Sequence, residues 1–244
     1  MALLEVDHVS KRFGGLQAVS DVAFSIEQNT ITFIVGPNGA GKTTLFNLIT
    51  GVVHPDEGRI RFDGADITHI SPNRAARLGI GRTFQIVKPL GSLTVLENVM
   101  LGAFMHTSSP SKAAGEAREV LTYLQMEKTM HFTARGLPLA MLKRLEIARA
   151  LATKPKLILL DEVVAGLSTG EALRLAELLQ KLPERGVAAV GGVEHVMRVV
   201  MRIADRVIVL DHGAQIAEGK PEDVVRMPAV VEAYLGTKYK ELGL

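Results

Sequence analysis

The sequence predicts an α/β fold with a mostly parallel sheet and a helical lobe inserted into it. Short β-branched and apolar runs alternate with longer stretches of helical spacing, which is the pattern of an α/β architecture. Several of these runs are apolar throughout, as expected of strands that are covered on both faces. From about residue 86 to residue 135 there is little strand signal, and SKAAGEAREVLTYLQM has helical spacing.

These patterns place the elements along the chain. The predicted strands are Leu3–Val9, Val22–Ile26, Ile31–Val35, Arg59–Phe62, Leu157–Leu160, Val187–Val193 and Val207–Leu210, and the predicted helices are Lys42–Thr50, Leu142–Ala152 and Glu171–Leu182. We expect residues 1–85 and 154–222 to form the core and residues 86–153 the lobe. Residues 223–244 have apolar residues at helical spacing and are expected to form a tail that packs on the core.

Composition excludes several classes of protein. None of the apolar runs in the 244 residues approaches the roughly eighteen needed to span a bilayer, and the N-terminal sequence lacks a signal-peptide layout. There are no cysteines, so disulfides and thiolate chemistry are excluded. A net charge of +2 gives no indication of a nucleic-acid surface. We therefore expect a cytoplasmic protein that does not bind nucleic acid.

The stretch FIVGPNGAGKTTLFNLIT contains the phosphate-loop pattern G-x-x-x-x-G-K-[ST]. Glycines allow backbone N–H groups to surround phosphate oxygens, and the helix that follows adds its positive end. Lys42 is expected to neutralise the outer phosphates, and the Thr43 hydroxyl to hold Mg²⁺. The expected ATP-binding residues are Asn38, Gly39, Ala40, Gly41, Lys42, Thr43 and Thr44. The core is therefore interpreted as that of a P-loop NTPase.

A second apolar strand, KLILLDE, ends in two carboxylates. Two acids after a strand are by themselves more often part of a solvated loop, but a phosphate loop needs such a partner strand. We expect Asp161 to orient Mg²⁺ through a water molecule and Glu162 to accept a proton from the attacking water.

Three further positions gain meaning only from their order. Phe13, Gln85 and His195 are each uninformative alone, but with the phosphate loop, the basic helix and Asp161–Glu162 they resemble the nucleotide-binding subunit of ABC transporters. The resemblance covers nearly the whole chain and implies an ATPase with an N-terminal antiparallel β portion. It also implies that Phe13 stacks on adenine, that Gln85 contacts Mg²⁺ and that His195 contacts the γ-phosphate in catalysis.

The sequence departs from the family pattern at several positions. The loop AGLS, Ala165–Ser168, lies where the family has its dimer-contacting loop, but Ser168 replaces the usual Asp and Val163 stands where Pro is common. The family signature, close to LSGGQ, binds the γ-phosphate held by the partner subunit, and here it reads LPLAM. Pro138 has neither a hydroxyl nor an N–H, and Ala140 adds a Cβ.

The altered signature predicts a weakened phosphate site. The remaining donors are expected to be the N–H groups of Leu139, Ala140 and Met141, helped by the nearby Lys143 and Arg144. A plain helix start without a ligand is the alternative, because proline suits the first turn of a helix.

The segments GIGRTFQ, LTVLENVMLG, RLEIARALA and PAVVEAYLG resemble the subgroup that takes up branched-chain amino acids and related small polar solutes. This resemblance implies a membrane permease, a second ATP-binding subunit and, indirectly, a solute-binding protein as partners, at the cytoplasmic face of the inner membrane. The weak signature favours a heterodimer over a homodimer. A soluble ABC ATPase without a transporter and a regulatory module with little catalysis are the alternatives.

Overall fold

Two sheets and a helical lobe make up the part of the chain that the structure, a computed structural model, describes: residues 2–83, 89–193 and 197–241. The strands are β1 (Ala2–Phe13), β2 (Leu16–Glu27), β3 (Ile31–Val35), β4 (Glu57–Phe62), β5 (Ala65–Asp66), β6 (Ile80–Arg82), β7 (Leu157–Asp161), β8 (Ala188–Val193), β9 (Arg206–Asp211) and β10 (Ala214–Gly219). The helices are α1 (Lys42–Ile49), α2 (Pro72–Leu78), α3 (Val95–Ala103), α4 (Pro110–Tyr123), α5 (Leu139–Leu151), α6 (Thr169–Leu179), α7 (Met197–Ile203), α8 (Pro221–Val224) and α9 (Pro228–Glu241).

The larger sheet has the strand order β10-β9-β3-β8-β7-β6 and is parallel except for β10. Every residue of β3 and β7 is buried, which explains why their sequences, ITFIV and LILLD, are almost entirely apolar. The smaller sheet, β2-β1-β4-β5, is antiparallel. The predicted fold class is therefore confirmed, with a mostly parallel sheet and an N-terminal antiparallel portion.

The larger sheet separates two hydrophobic cores. On one side the antiparallel sheet packs with α1, and Leu4, Phe46 and Leu159 belong to this cluster. On the other side the lobe helices and α6 pack against the sheet, and Val99, Leu145 and Leu160 belong to that cluster. Successive residues of β7, Leu159 and Leu160, thus face opposite cores, as the two-residue period of a strand requires.

The lobe lies between β6 and β7 in the chain. Apart from an isolated bridge between Thr94 and Thr133, its described residues form helices and turns. The helix α3 begins with a capping box in which Thr94 and Glu97 satisfy each other's backbone donors. The helix α5 begins at Leu139, three residues before the predicted start. None of the helices in the described ranges is long and apolar enough to cross a membrane.

Candidate nucleotide site

The phosphate loop connects β3 to α1, and two of its glycines are required by close backbone approach. A Cβ at Gly36 would lie 2.2 Å from the carbonyl oxygen of Leu210 in β9. Gly41 has a φ of +101°, and a Cβ there would lie 2.4 Å from the carbonyl oxygen of Ala18. The two glycines therefore let the loop pass close to the main chains of β9 and β2, which belong to different sheets.

Lys42 is the first residue of α1, and only 6% of it is exposed. Its Nζ donates to the carbonyl oxygens of Gly36 and Pro37, at 2.7 and 2.9 Å. The N-cap, Gly41, makes no side-chain cap bond to α1. The ammonium group and the positive end of the helix thus lie in the same loop, which is the electrostatic arrangement of a phosphate site.

A cavity of about 500 Å³ adjoins this loop. The phosphate loop contributes residues 39–44, including the exposed Thr43, and the other lining residues are Leu16, Gln17, Ala18 and His212. These four positions were missed in the sequence because they come from a hairpin and a turn that carry no motif. Phe13 lies at the tip of the same hairpin with 46% of its surface exposed, but it does not line the cavity. The Nζ of Lys11 lies 5.6 Å from the centroid of its ring.

Asp161 ends β7 and is 2% exposed. Its backbone N–H donates to Thr83 Oγ1 at 3.0 Å, and its Oδ2 accepts a hydrogen bond from Arg82 at 3.3 Å. Burial raises the pKa of this carboxyl, while the charges of Arg82, Lys42 and Lys143 oppose that rise. The carboxylate is therefore surrounded by cations of the protein. Arg82 lies within the segment GIGRTFQ, but the sequence did not reveal its contact with Asp161.

Glu162 follows Asp161 in a left-handed backbone conformation, with a φ of +49°. Its N–H donates to the Gly192 carbonyl oxygen in β8 at 3.0 Å. Unlike Asp161, the residue is only partly buried. Water can therefore reach Glu162, whereas Asp161 is enclosed. Gln85 and His195, the other predicted catalytic and metal-contacting residues, lie outside the described residues.

The sequence matches two protein-family models. Residues 19–165, more than half of the chain, match the ABC transporter family, and residues 214–240 match the branched-chain amino acid ATP-binding cassette transporter family. The chain belongs to the ABC transporter ATP-binding family. It is therefore an ATPase of the kind that drives transport, and the resemblance inferred from the sequence is confirmed.

Relatives of this cassette match it along almost its whole length. The probable branched-chain amino acid transport ATP-binding protein LivG of Archaeoglobus fulgidus is 37% identical over 99% of this chain and 98% of the relative. The high-affinity branched-chain amino acid transport ATP-binding protein BraF of Pseudomonas aeruginosa is 36% identical over 96% of this chain and 98% of its own.

Solved structures of cassettes share the fold. The ADP conformation of MJ1267, an ATP-binding cassette of an ABC transporter, superposes with a TM-score of 0.88 at 34% identity, covering 97% of this chain and 99% of its own. A dimeric post-hydrolysis structure of the cassette MJ0796, bound to ADP and Pi, gives a TM-score of 0.80 at 27% identity, covering 89% and 98%.

The stretch predicted to be the signature, residues 137–141, lies at the head of α5. Pro138 is the N-cap and makes no side-chain cap bond. Its carbonyl oxygen accepts from the N–H of Met141 at 2.9 Å and from that of Leu142 at 3.0 Å. The Met141 donor is therefore engaged inside the helix, which leaves the N–H groups of Leu139 and Ala140 as the donors at the helix head.

The expectation that two basic residues assist this helix head is wrong. Lys143 and Arg144 are only 4% and 8% exposed. Lys143 Nζ donates to the Glu162 carbonyl oxygen at 3.1 Å, and Arg144 donates to the Leu124 carbonyl oxygen at 3.3 Å. Both side chains point into the protein because they lie on the face of α5 that packs against the core.

Local contacts also account for the two residues that depart from the family pattern in and near the loop Ala165–Ser168. Ser168 is the N-cap of α6 and forms a capping box with Glu171, whose Oε2 accepts from the Ser168 N–H at 2.9 Å. The residue that replaces the family's Asp therefore still starts the helix, since Ser and Asp are both good N-caps. Val163, in place of Pro, is 3% exposed and packs in the core.

Proposed function

We propose that this cassette is the ATP-hydrolysing motor of an importer for branched-chain amino acids or related small polar solutes, bound to a permease at the cytoplasmic face of the membrane. The supporting observation is that Lys42 and Glu162 follow strands β3 and β7 of one parallel sheet, so both lie at its carboxyl edge. The relatives named for branched-chain amino acid transport cover nearly the whole chain, which favours this function over a soluble ABC ATPase.

Four of the described residues have proposed roles in phosphate cleavage. Lys42 neutralises the outer phosphates, while the Thr43 hydroxyl and the Asp161 carboxylate offer the hard oxygen ligands that Mg²⁺ prefers. When bound, Mg²⁺ supplies charge neutralisation on the phosphates. No cluster of three or more His, Asp or Glu side chains in the described ranges could hold a metal alone, which fits an ion shared with nucleotide. Glu162 then takes the proton of the attacking water.

The solute assignment is tested in proteoliposomes that contain this cassette with its cognate permease and cassette partner. Leucine, isoleucine or valine delivered by the cognate binding protein is expected to stimulate ATP turnover and to accumulate inside. Stimulation by an unrelated solute alone would correct the solute class while leaving the motor function intact. Turnover that no permease alters would favour the soluble ATPase.

A groove beside the lobe is the proposed docking site for a cytoplasmic helix of the permease. It has a volume of about 360 Å³ and lies between the C-terminal end of α1, α2, and the helices α3 and α5. Val52, Leu101 and Met105 line it and are 51%, 42% and 39% exposed. The proposal extends to Gln85 and the segment IVKPLGSLTVLENV, which connects the metal site to the lobe, so that a moving lobe can carry the docked helix.

Crosslinking tests this docking site cleanly because the chain has no cysteine. A Met105→Cys variant should crosslink to single cysteines in cytoplasmic loops of the permease. Lys112→Cys, at the exposed start of α4, provides the control and should not. Crosslinks from Lys112 but none from Met105 would place the permease elsewhere on the lobe.

The dimer is proposed to be a heterodimer with unequal sites. In a head-to-tail dimer the α5 head of each cassette faces the nucleotide of the other, and here that head offers only the N–H groups of Leu139 and Ala140. A partner with an intact signature would give this chain's own phosphate loop a strong site, while the partner's nucleotide meets a weak one. In a homodimer both sites would be weak, which is a poor arrangement for a motor.

A further inference from the structure

The turn that carries Glu162 is stabilised by hydrogen bonds with other segments of the chain. Its backbone lies in the left-handed region, which only glycine adopts readily, so surrounding contacts must maintain it. Two of them are main-chain hydrogen bonds: the Glu162 N–H donates to the Gly192 carbonyl oxygen in β8, and the Ala165 N–H donates to the Glu162 carbonyl oxygen at 3.1 Å. The position of the base therefore depends on bonds made by its own main chain.

A further contact comes from the signature helix. Lys143 Nζ donates to the same Glu162 carbonyl oxygen at 3.1 Å. Hydrogen bonds from a charged donor are stronger than neutral ones, and this donor belongs to a residue that is 4% exposed. The positive charge of the ammonium group also lowers the pKa of the Asp161 carboxyl, against the rise that burial causes. Lys143 thus contacts the main chain of Glu162 and acts through its charge on the neighbouring Asp161.

The same face of α5 contacts the turn at a second point. A Cβ added to Gly166 would lie 3.0 Å from Leu139 Cδ2, so the Leu139 side chain lies directly against Gly166. Leu139 and Lys143 are four residues apart and therefore share one face of the helix. The first two turns of α5 thus contact the turn that carries Glu162 at two points, Glu162 and Gly166.

We propose that Lys143 is a positioning residue for ATP hydrolysis, which fixes the main chain of Glu162 from the helix whose head faces the partner's nucleotide. A shift of α5 when that head meets phosphate is then transmitted through Lys143 to the base of this chain's own site. This inference rests on the proposed role of Glu162 as the base. It gives the buried lysine a part in communication between the two nucleotide sites.

The test uses the assembled transporter with Lys143→Met and Lys143→Arg. Because displacement of a catalytic group by about 1 Å can cost on the order of 10²-fold in rate, Lys143→Met should lower kcat by about 10- to 100-fold, with KM and the Kd for ATP within about twofold. Lys143→Arg keeps a cationic donor and should restore most of kcat. Lys112→Met, which removes an exposed lysine of α4, is the matched control and should behave as wild type.

Several results would overturn the inference. The first is that Lys143→Met turns over ATP as fast as Lys112→Met. The second is that Lys143→Met loses kcat and ATP affinity to the same extent. The third is that Lys143→Arg is as inactive as Lys143→Met and shows the same loss in Tm. If Lys143→Met does not fold, Lys143→Gln replaces it in the same comparison. Glu162→Gln separates the two claims: if it is inactive while Lys143→Met is normal, only the positioning role fails. If Glu162→Gln is fully active, the base assignment itself fails.

Discussion

Arg82 and Asp161 form a buried ion pair at the ends of the neighbouring strands β6 and β7. Their side chains are 8% and 3% exposed, and the guanidinium also donates to Asn47 Oδ1 at 2.6 Å and to Thr50 Oγ1 at 3.2 Å. Burial lowers the pKa of Arg82 and raises that of Asp161, and each charge offsets the effect on the other. Arg82 therefore connects the end of α1 with the carboxylate proposed to orient Mg²⁺.

Removing Arg82 should destabilise the fold strongly. Loss of one partner leaves a buried charge uncompensated, which costs about 3–5 kcal/mol, so Arg82→Met should lower the free energy of unfolding in urea by that amount. The control is Arg202→Met, which breaks an exposed pair with Glu177 whose side chains are about half exposed. It should cost about 0–1 kcal/mol. Equal losses in the two variants would contradict the buried-pair account.

Sequence analysis could place the residues whose positions follow from a local motif. Lys42 follows a fixed spacing of glycines, and Glu162 follows an apolar strand, so both could be placed before the structure was known. Arg82 lies 79 residues from Asp161, and its contact arises only when two strands become neighbours. The wrong expectation for Lys143 has the same cause, because sequence alone does not give the face of α5 that is buried.

At the level of elements, seven of the ten strands in the described residues were predicted at least in part, whereas β5, β6 and β10 were missed. All six residues of β10 are partly buried, so this strand has no apolar run to mark it. The strands β1 and β2 extend beyond their predicted bounds through residues 10–13 and 16–21, where Val19 alone is buried, and their pairing contains bulges. The predicted tail helix is interrupted between α8 and α9, since Pro228 begins a new helix.

The helices α3 and α5 cross closely at Gly102. A Cβ at this position would lie 2.5 Å from the Arg149 carbonyl oxygen and 2.9 Å from Ala152 Cβ. Gly102→Ala should therefore separate the two helices and lower the stability by about 1–3 kcal/mol, the usual effect of overpacking. Because Gly102 also lines the proposed docking groove, the variant should weaken permease binding as well.

Gly115 in α4 provides a matched control for this substitution. A Cβ there would meet no heavy atom within 4 Å. Gly115→Ala should stabilise the protein by about 0.5–1 kcal/mol, because alanine favours a helix over glycine. Thermal unfolding of the two variants checks both signs. A Gly102→Ala variant as stable as Gly115→Ala would contradict the close crossing.

On the scale of the whole molecule, the lobe is inserted between the two strands that bear Arg82 and Asp161. The chain leaves the core after β6, forms the lobe, and returns through α5 and β7 to the turn that carries Glu162. We therefore expect a movement of the lobe to reach Asp161, the carboxylate proposed to orient Mg²⁺, from both ends of the insertion. The overall arrangement was predictable from the order of the motifs, whereas the contacts that couple its parts were not.

The proposed asymmetry of the dimer predicts the effect of repairing the signature. Pro138→Ser together with Ala140→Gly restores a hydroxyl and removes a Cβ at the α5 head. In the assembled transporter with the cognate partner, ATP turnover should rise clearly above that of wild type. Unchanged turnover would mean that the backbone donors of the helix head already suffice, and the unequal-site proposal would have to be dropped.

The central claim is that Glu162 acts as the base at this chain's own phosphate loop, and the most direct measurement compares ATP turnover with ATP binding. Removal of a general base costs about 10²–10⁴ in rate, so Glu162→Gln should nearly abolish turnover while it still binds ATP and accumulates as an ATP-bound dimer. Lys42→Ala should instead lose binding. The control is Glu184→Gln, which changes an exposed acid outside the lobe and should match wild type in both assays. A Glu162→Gln variant that hydrolyses ATP at the wild-type rate would contradict the account.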